Sequence, residues 1–169
     1  VPAYANFGGK IHGGYLMSMM DKVAYACATK FAGNYCVTVA VDGVEFLEPV
    51  DVGDLVSLQA RVNYTGKTSL VVGIRVTAEN IQEKYVKHTN TSYFTMVAKG
   101  EDGRPAAVPG LMLTDNEDLQ RYVEVITRKK LKAWHKESMQ KEREGFDQVL
   151  QAASLADENC QVNIPGLGA

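Results

Sequence analysis

Asn6-Phe7-Gly8-Gly9-Lys10-Ile11-His12-Gly13-Gly14-Tyr15-Leu16-Met17-Ser18-Met19-Met20-Asp21 is the stretch whose reading decides the fold. A glycine-rich turn runs straight into an apolar helix that carries one carboxylate, Asp21. Glycines let backbone come close to a ligand, and the free N–H groups of a helix start favour negative charge. A carboxylate on a helix made for burial is costly unless it is paired or used, so Asp21 is expected to face an apolar interior and to mark a site.

Working outward, residues 13–32 read as one helix. Leu16, Met17, Met20, Val23, Ala24, Cys27, Ala28 and Phe31 recur at helical spacing, and Gly33-Asn34 supplies the stop. A helix this apolar nearly all round is expected to be enclosed. Four strand-like segments follow, over 36–48, 54–65, 68–80 and 84–99. Their connections are short, as at Asp51-Val52-Gly53-Asp54 and Gly66-Lys67, which favours antiparallel neighbours. In 54–65, Leu55, Ser57, Gln59, Arg61 and Asn63 alternate with Val56, Leu58, Ala60, Val62 and Tyr64. One helix followed by a meander of long strands predicts an α+β domain in which the sheet wraps the helix. Such a sheet leaves edges, and dimerisation by sheet extension would cover them. Residues 115–145 are charged and helical in pattern, and the last stretch shows no periodic signal.

The 169 residues fit one domain with an appendage. A net charge of -2 provides no basic field for nucleic acid. No apolar run reaches the ~20 residues of a membrane span. Cys27, Cys36 and Cys160 match no zinc or disulfide spacing and read as reduced thiols of a cytoplasmic protein.

Three segments in this order resemble hotdog-fold acyl-CoA thioesterases, in particular the small bacterial acyl-CoA hydrolases related to the brain-type acyl-CoA hydrolase. They are Asn6 to Asp21, Val37 to Val50, and Gly53-Asp54 through Tyr64-Thr65-Gly66-Lys67-Thr68-Ser69. The segments Tyr93 to Ala98 and Gly103-Arg104-Pro105 extend the likeness. The resemblance implies a hotdog domain over 1–112, followed by a charged, largely helical extension over 113–169. It implies hydrolysis of acyl-CoA to a free fatty acid and coenzyme A, with no metal and no cofactor beyond the coenzyme A of substrate and product. Hydroxyacyl-thioester dehydration and non-catalytic acyl-CoA binding are the alternatives, because a fold does not fix a function.

Carried over by position, Asp21 falls on the family's helix carboxylate, the nucleophile or general base. Asn6 falls on an asparagine that completes the site of the neighbouring subunit. The resemblance thus implies a homodimer with two composite sites, assembled further as a trimer of dimers. At the helix start a backbone N–H of Gly14 or Tyr15 is expected to hold the thioester oxyanion, with Gly13 and Tyr15 among the substrate-contacting residues; the alternative is that Gly13 and Gly14 simply allow tight helix–strand packing. His12 reads as a residue that structures the turn or touches ligand, since no serine or cysteine pairs with it. Lys67 with Thr68 and Ser69 suits the phosphates of coenzyme A, and Arg104 is a further candidate. The Arg128-Lys129-Lys130 run reads as a solvated helix face.

Overall fold

Gly33 ends the first helix as its sequence predicts. It adopts φ 69° and its N–H returns to Thr29 O at 3.0 Å, a left-handed cap that glycine takes without strain. The computed structural model describes residues 8–155 and 157–164. Helix α1 spans Gly13–Ala32, and strands β1 (Tyr35–Asp42), β2 (Leu55–Thr65), β3 (Ser69–Asn80) and β4 (Tyr85–Lys99) follow. They form a four-stranded antiparallel sheet in the order β1-β4-β3-β2. Helices α2 (Asn116–Glu144) and α3 (Gln148–Ser154) close the described chain. The chain divides into two compact units, 1–125 and 126–169, with the division inside α2. In the second unit, Asp147 caps α3 through bonds from the N–H groups of Val149 and Leu150.

Helix α1 buries the stripe Leu16, Met20, Ala24, Ala28 and Ala32. The three alanines let the helix approach the sheet closely. Below it lie Val62, Leu70, Val72, Ile74, Val76, Phe94, Met96 and Ala98, each nearly or fully buried. Each large side chain buried there contributes about 1.5–3 kcal/mol. The enclosure predicted for α1 is not met within one chain. Met17, Tyr25 and Ala26 are exposed, because a single sheet covers only one stripe of the helix.

Two further expectations need correction. The first strand ends at Asp42 rather than at 48. Residues 43–48 run beside β4 with isolated bonds, Leu47 N–H to Thr89 O at 2.9 Å and Asn90 Nδ2 to Glu45 O at 2.6 Å. The strict alternation of β2 fails at Asn63, where a bulge breaks the register between Val62 and Tyr64. Val62 stays in the core, whereas Asn63 packs over Gly73 and Tyr64 stacks on Tyr122 of α2. Two consecutive side chains therefore point away from α1, as a bulge dictates.

Candidate active site

His12 starts α1 by capping it. Its Nδ1 accepts the N–H of Gly14 at 3.1 Å, and its carbonyl accepts the N–H groups of Tyr15 at 2.9 Å and Leu16 at 3.2 Å. An accepting Nδ1 places the proton of a neutral ring on Nε2. Gly13 lies close under the Phe46 ring: a Cβ there would stand 3.3 Å from it, so the ring would have to shift slightly. The segment before the helix is tied to the loop at 50–54. Lys10 pairs with Asp51, and Ile11 N–H donates to Val50 O at 2.9 Å. Lys87 adds bonds to Asp51 at 2.9 Å and Asp54 at 3.3 Å. The hydrogen bonds from Lys10 and Lys87 hold the Asp51 carboxyl below the usual carboxylate range.

Asp21 does not face an apolar interior. It is exposed on the flank of α1, beside rather than within the buried stripe. Its partner is one that sequence reading missed: Thr38 of β1 donates its hydroxyl to Asp21 Oδ1 at 2.7 Å. The same hydroxyl stands 3.2 Å from Met96 Sδ. A bulge directly after Thr38 shifts the ladder with β4 and leaves Val39 exposed. Such bulges re-aim neighbouring side chains. One carboxylate oxygen is thus fixed by Thr38 while the group remains open to solvent.

Lys67, Thr68 and Ser69 lie at the β2–β3 turn, with the Lys67 side chain exposed. Ala98 N–H donates to Thr68 O at 3.0 Å and Val108 N–H to Lys67 O at 3.0 Å, which seats this turn beside the segment that follows β4. Arg104 belongs to that segment and is exposed, with Asp102 3.9 Å away. The cationic candidates therefore share one end of the sheet, the end at which Tyr35 pairs with Lys99. Helix α1 ends there too, so His12-Gly13-Gly14 stands a helix length away, about 30 Å for 20 residues. Asn6 lies outside the described residues. Cys27 packs against the core, and burial pushes its thiol up from the ordinary range, as suits a packing residue. The Arg128-Lys129-Lys130 side chains are exposed.

An apolar cleft of about 840 Å³ lies between α1 and β2, lined by Val23, Ala26, Cys27, Phe31, Val62 and Leu111 among others, on the flank of α1 away from Thr38 and Asp21. Among the described residues no group of His, Cys, Asp and Glu could hold a metal ion. No described helix is long and apolar enough to cross a membrane.

Residues 8–85 match the family model of the thioesterase superfamily. Protein VdlD of Helicobacter pylori is 42% identical over 132 residues, covering 78% of this chain and 75% of that protein. The acyl-CoA thioester hydrolase YciA of Escherichia coli is 39% identical over 114 residues, covering 64% of this chain and 85% of YciA. An apo-hexameric acyl-CoA thioesterase superposes with TM-score 0.77 at 32% identity, covering 80% of this chain and 86% of that one. An acyl-CoA hydrolase from Staphylococcus aureus, in complex with butyryl coenzyme A, coenzyme A and coenzyme A disulfide, superposes at TM-score 0.73 and 32% identity. That superposition covers 83% of this chain and 86% of the S. aureus protein, which was also solved with an asparagine, an aspartate and a threonine each changed to alanine. The chain belongs to the thioesterase superfamily, among its hotdog-fold thioester hydrolases.

Proposed function

We propose that the protein hydrolyses acyl-CoA to a free carboxylate and coenzyme A, with Asp21 as the reacting carboxylate. The observation that carries this reading is the bond from Thr38 to Asp21 Oδ1 at the open flank of α1. With Oδ1 held, Oδ2 is the atom free to act. As general base it takes a proton from water, whose oxygen attacks the thioester carbon. As nucleophile it attacks that carbon itself, and water then releases the acyl group. In either course the carbonyl oxygen gains negative charge, which a helix-start N–H is suited to hold. Gly14 and Asp21 of one chain stand about 10 Å apart along α1, so the two meet at one carbonyl only across two subunits. The Gly14 N–H is the proposed donor there, and the His12 ring that now accepts it must give way or share it. Tyr15 N–H is already spent on His12 O, which favours Gly14. In the general-base course, collapse of the tetrahedral species expels the coenzyme A thiolate, which takes up the proton carried by Asp21. In the nucleophilic course, collapse leaves an acyl anhydride on Asp21, and the thiolate takes its proton from the water that hydrolyses that anhydride.

The aspartate and threonine changed to alanine in the S. aureus hydrolase stand 17 positions apart, as do Asp21 and Thr38. The asparagine changed there precedes that aspartate by 15 positions, as Asn6 precedes Asp21. Both spacings support roles for all three residues here. A homodimer covers the open side of α1 and the β1 edge, where Met17, Tyr25, Tyr35 and Val39 are exposed. Asn6 would arrive from the partner. The reaction is assigned to residues 1–112, with 113–169 as an appended extension.

The test is release of free thiol from a panel running from acetyl-CoA to palmitoyl-CoA. Asp21→Asn is expected to fold and to bind coenzyme A while losing about a hundredfold or more in turnover, the scale of a lost acid–base group. Wild-type rates in that variant would end the assignment.

A further inference from the structure

The loop between β1 and β2 meets the start of α1 in a cluster of charges that the chemical steps above do not use. Lys87 of β4 bonds Asp51 Oδ2 at 2.9 Å and Asp54 Oδ2 at 3.3 Å. Asp51 also pairs with Lys10, which stands two residues before the cap of α1 and bridges Asp51 through the backbone as well. The Ile11 N–H bond to Val50 O at 2.9 Å closes the same seam. Contacts thus run unbroken from β4 through Asp51 to Lys10, and Ile11 and His12 lead from there straight into the helix.

Lys87 reaches this place because of a bulge in β4. Asn90 pairs with Val76 and His88 with Thr77, so Thr89 is the extra residue. Thr89 and Asn90 are both fully buried, and the alternation of β4 reverses between them. Lys87 is thereby turned to the face of the sheet that carries Asn90, Ser92 and Phe94. Its side chain is only 15% exposed there, and Nζ stands 5.7 Å from the centre of the Tyr85 ring. Asp54 is more deeply set, with its side chain 1% exposed. Its Oδ2 also accepts the Asp51 N–H at 3.0 Å, and its Oδ1 has no hydrogen-bond partner among the described residues. A carboxylate so buried keeps its charge only against a cation, and Lys87 is its one ion-pair partner among the described residues. An exposed ion pair fixes little, but one closed around a buried carboxylate fixes the loop that carries it.

We propose, on the reading that Gly14 N–H holds the oxyanion, that Lys87 is a positioning residue for the hydrolysis. Through Asp51 and Lys10 it holds residues 10–12, and with them the first N–H groups of α1, where the thioester carbonyl oxygen must gain its charge. An oxyanion donor acts only if it is fixed before the charge develops. A displacement of about 1 Å at a reacting group can cost about a hundredfold in rate.

The test reads the carbonyl itself. Butyryl-CoA carrying ¹³C at its carbonyl is bound to the full-length Asp21→Asn variant, and the carbonyl stretch is followed by difference infrared spectroscopy. A hydrogen bond to that oxygen lowers the frequency relative to free butyryl-CoA. Adding Lys87→Met is expected to return the frequency most of the way to the free value, with affinity for coenzyme A within about twofold. With Asp21 intact, Lys87→Met should lower kcat about tenfold to a hundredfold and leave KM within about twofold. Lys87→Arg should recover most of the rate and most of the frequency shift. Thermal melting shows whether Lys87→Met folds. If it does not, Lys10→Met decides, since it leaves Lys87 paired with both carboxylates; a partial return of the frequency is expected there. An unmoved frequency in the folded variant overturns the proposal whatever kcat does, because a loss of rate alone would then come from the fold. No lowering of the frequency in Asp21→Asn itself would remove Gly14 as the donor, and the role of Lys87 with it.

Discussion

Thr38 Oγ1 donates to Asp21 Oδ1 across 2.7 Å, and this bond joins the flank of α1 to the bulged strand β1. An exposed carboxylate on a helix has rotamer freedom that this hydroxyl removes. Thr38→Val keeps the shape and deletes the donor. Loss of a hydrogen bond to a charged group is worth about 1.5–3 kcal/mol, so kcat is expected to fall about tenfold to a hundredfold. KM should stay within about twofold, since the bond acts on the reacting group rather than on distant substrate atoms. Thr38→Ser should recover most of the rate. A serine variant as slow as valine would mean that packing against Met96, not the hydroxyl, is what matters.

How far this site was legible in the sequence follows from the kind of information each residue carries. The bounds of α1 could be read directly, because helical spacing and Gly33-Asn34 are local signals. The exposure of Asp21 could not. Its surroundings depend on which stripe of a nearly all-apolar helix meets the sheet, and the alanines at 24, 28 and 32 decide that. Thr38 was invisible for a related reason: its pairing with Asp21 needs the β1 register and the bulge at Val39, both set by β4 far along the chain. The bulge at Asn63 likewise has no marker in a strand that otherwise alternates cleanly. His12 caps α1 through its bond from Gly14 N–H, a contact that has no marker in the sequence.

The open side of α1 leads to a test of the shared site. If Asn6 of one subunit serves Asp21 of another, Asn6→Ala and Asp21→Asn homodimers should each be nearly inactive. Subunit exchange between them would rebuild one intact site per heterodimer. About a quarter of wild-type activity is then expected from a statistical mixture, since half the dimers are mixed and each has one of two sites. No recovery after exchange verified by mass spectrometry would show that Asn6 and Asp21 act within one chain.

Acid should weaken the first unit through two carboxylates. Asp118 accepts the backbone N–H of Thr114 at 3.0 Å and its hydroxyl at 2.8 Å, and also pairs with Arg61. These bonds hold its carboxyl below the usual range, as those from Lys10 and Lys87 do for Asp51. A carboxyl whose folded pKa is lowered adds stability that is complete above its unfolded value, about 3.9. That contribution is lost as pH falls through the unfolded value toward the folded one. The melting temperature should therefore be insensitive to these groups above about pH 5 and fall below about pH 4. The gap between wild type and Asp118→Asn should narrow across the same window. A gap that stays constant down to pH 3 would assign the effect of Asp118 to packing.

The last prediction concerns the end of the sheet where Lys67, Thr68, Ser69 and Arg104 gather. Coenzyme A bears phosphates, and a chain of net charge -2 must meet them with local cations. Lys67 is exposed on a turn whose backbone is pinned to Val108. Its ammonium can therefore hold a phosphate without the turn itself having to be ordered first. Lys67→Ala is expected to raise KM for acyl-CoA with little change in kcat, the pattern of a uniform binding contact remote from the bond being broken. One charge-assisted contact at an exposed site is worth about 1–2 kcal/mol, or roughly a fivefold to thirtyfold rise. The deficit should vanish on an acyl-pantetheine, which lacks the nucleotide, and should shrink for acyl-CoA at high salt. Equal losses on both substrates would place the effect of Lys67 in the fold or in the reacting centre, and the phosphate assignment would fall.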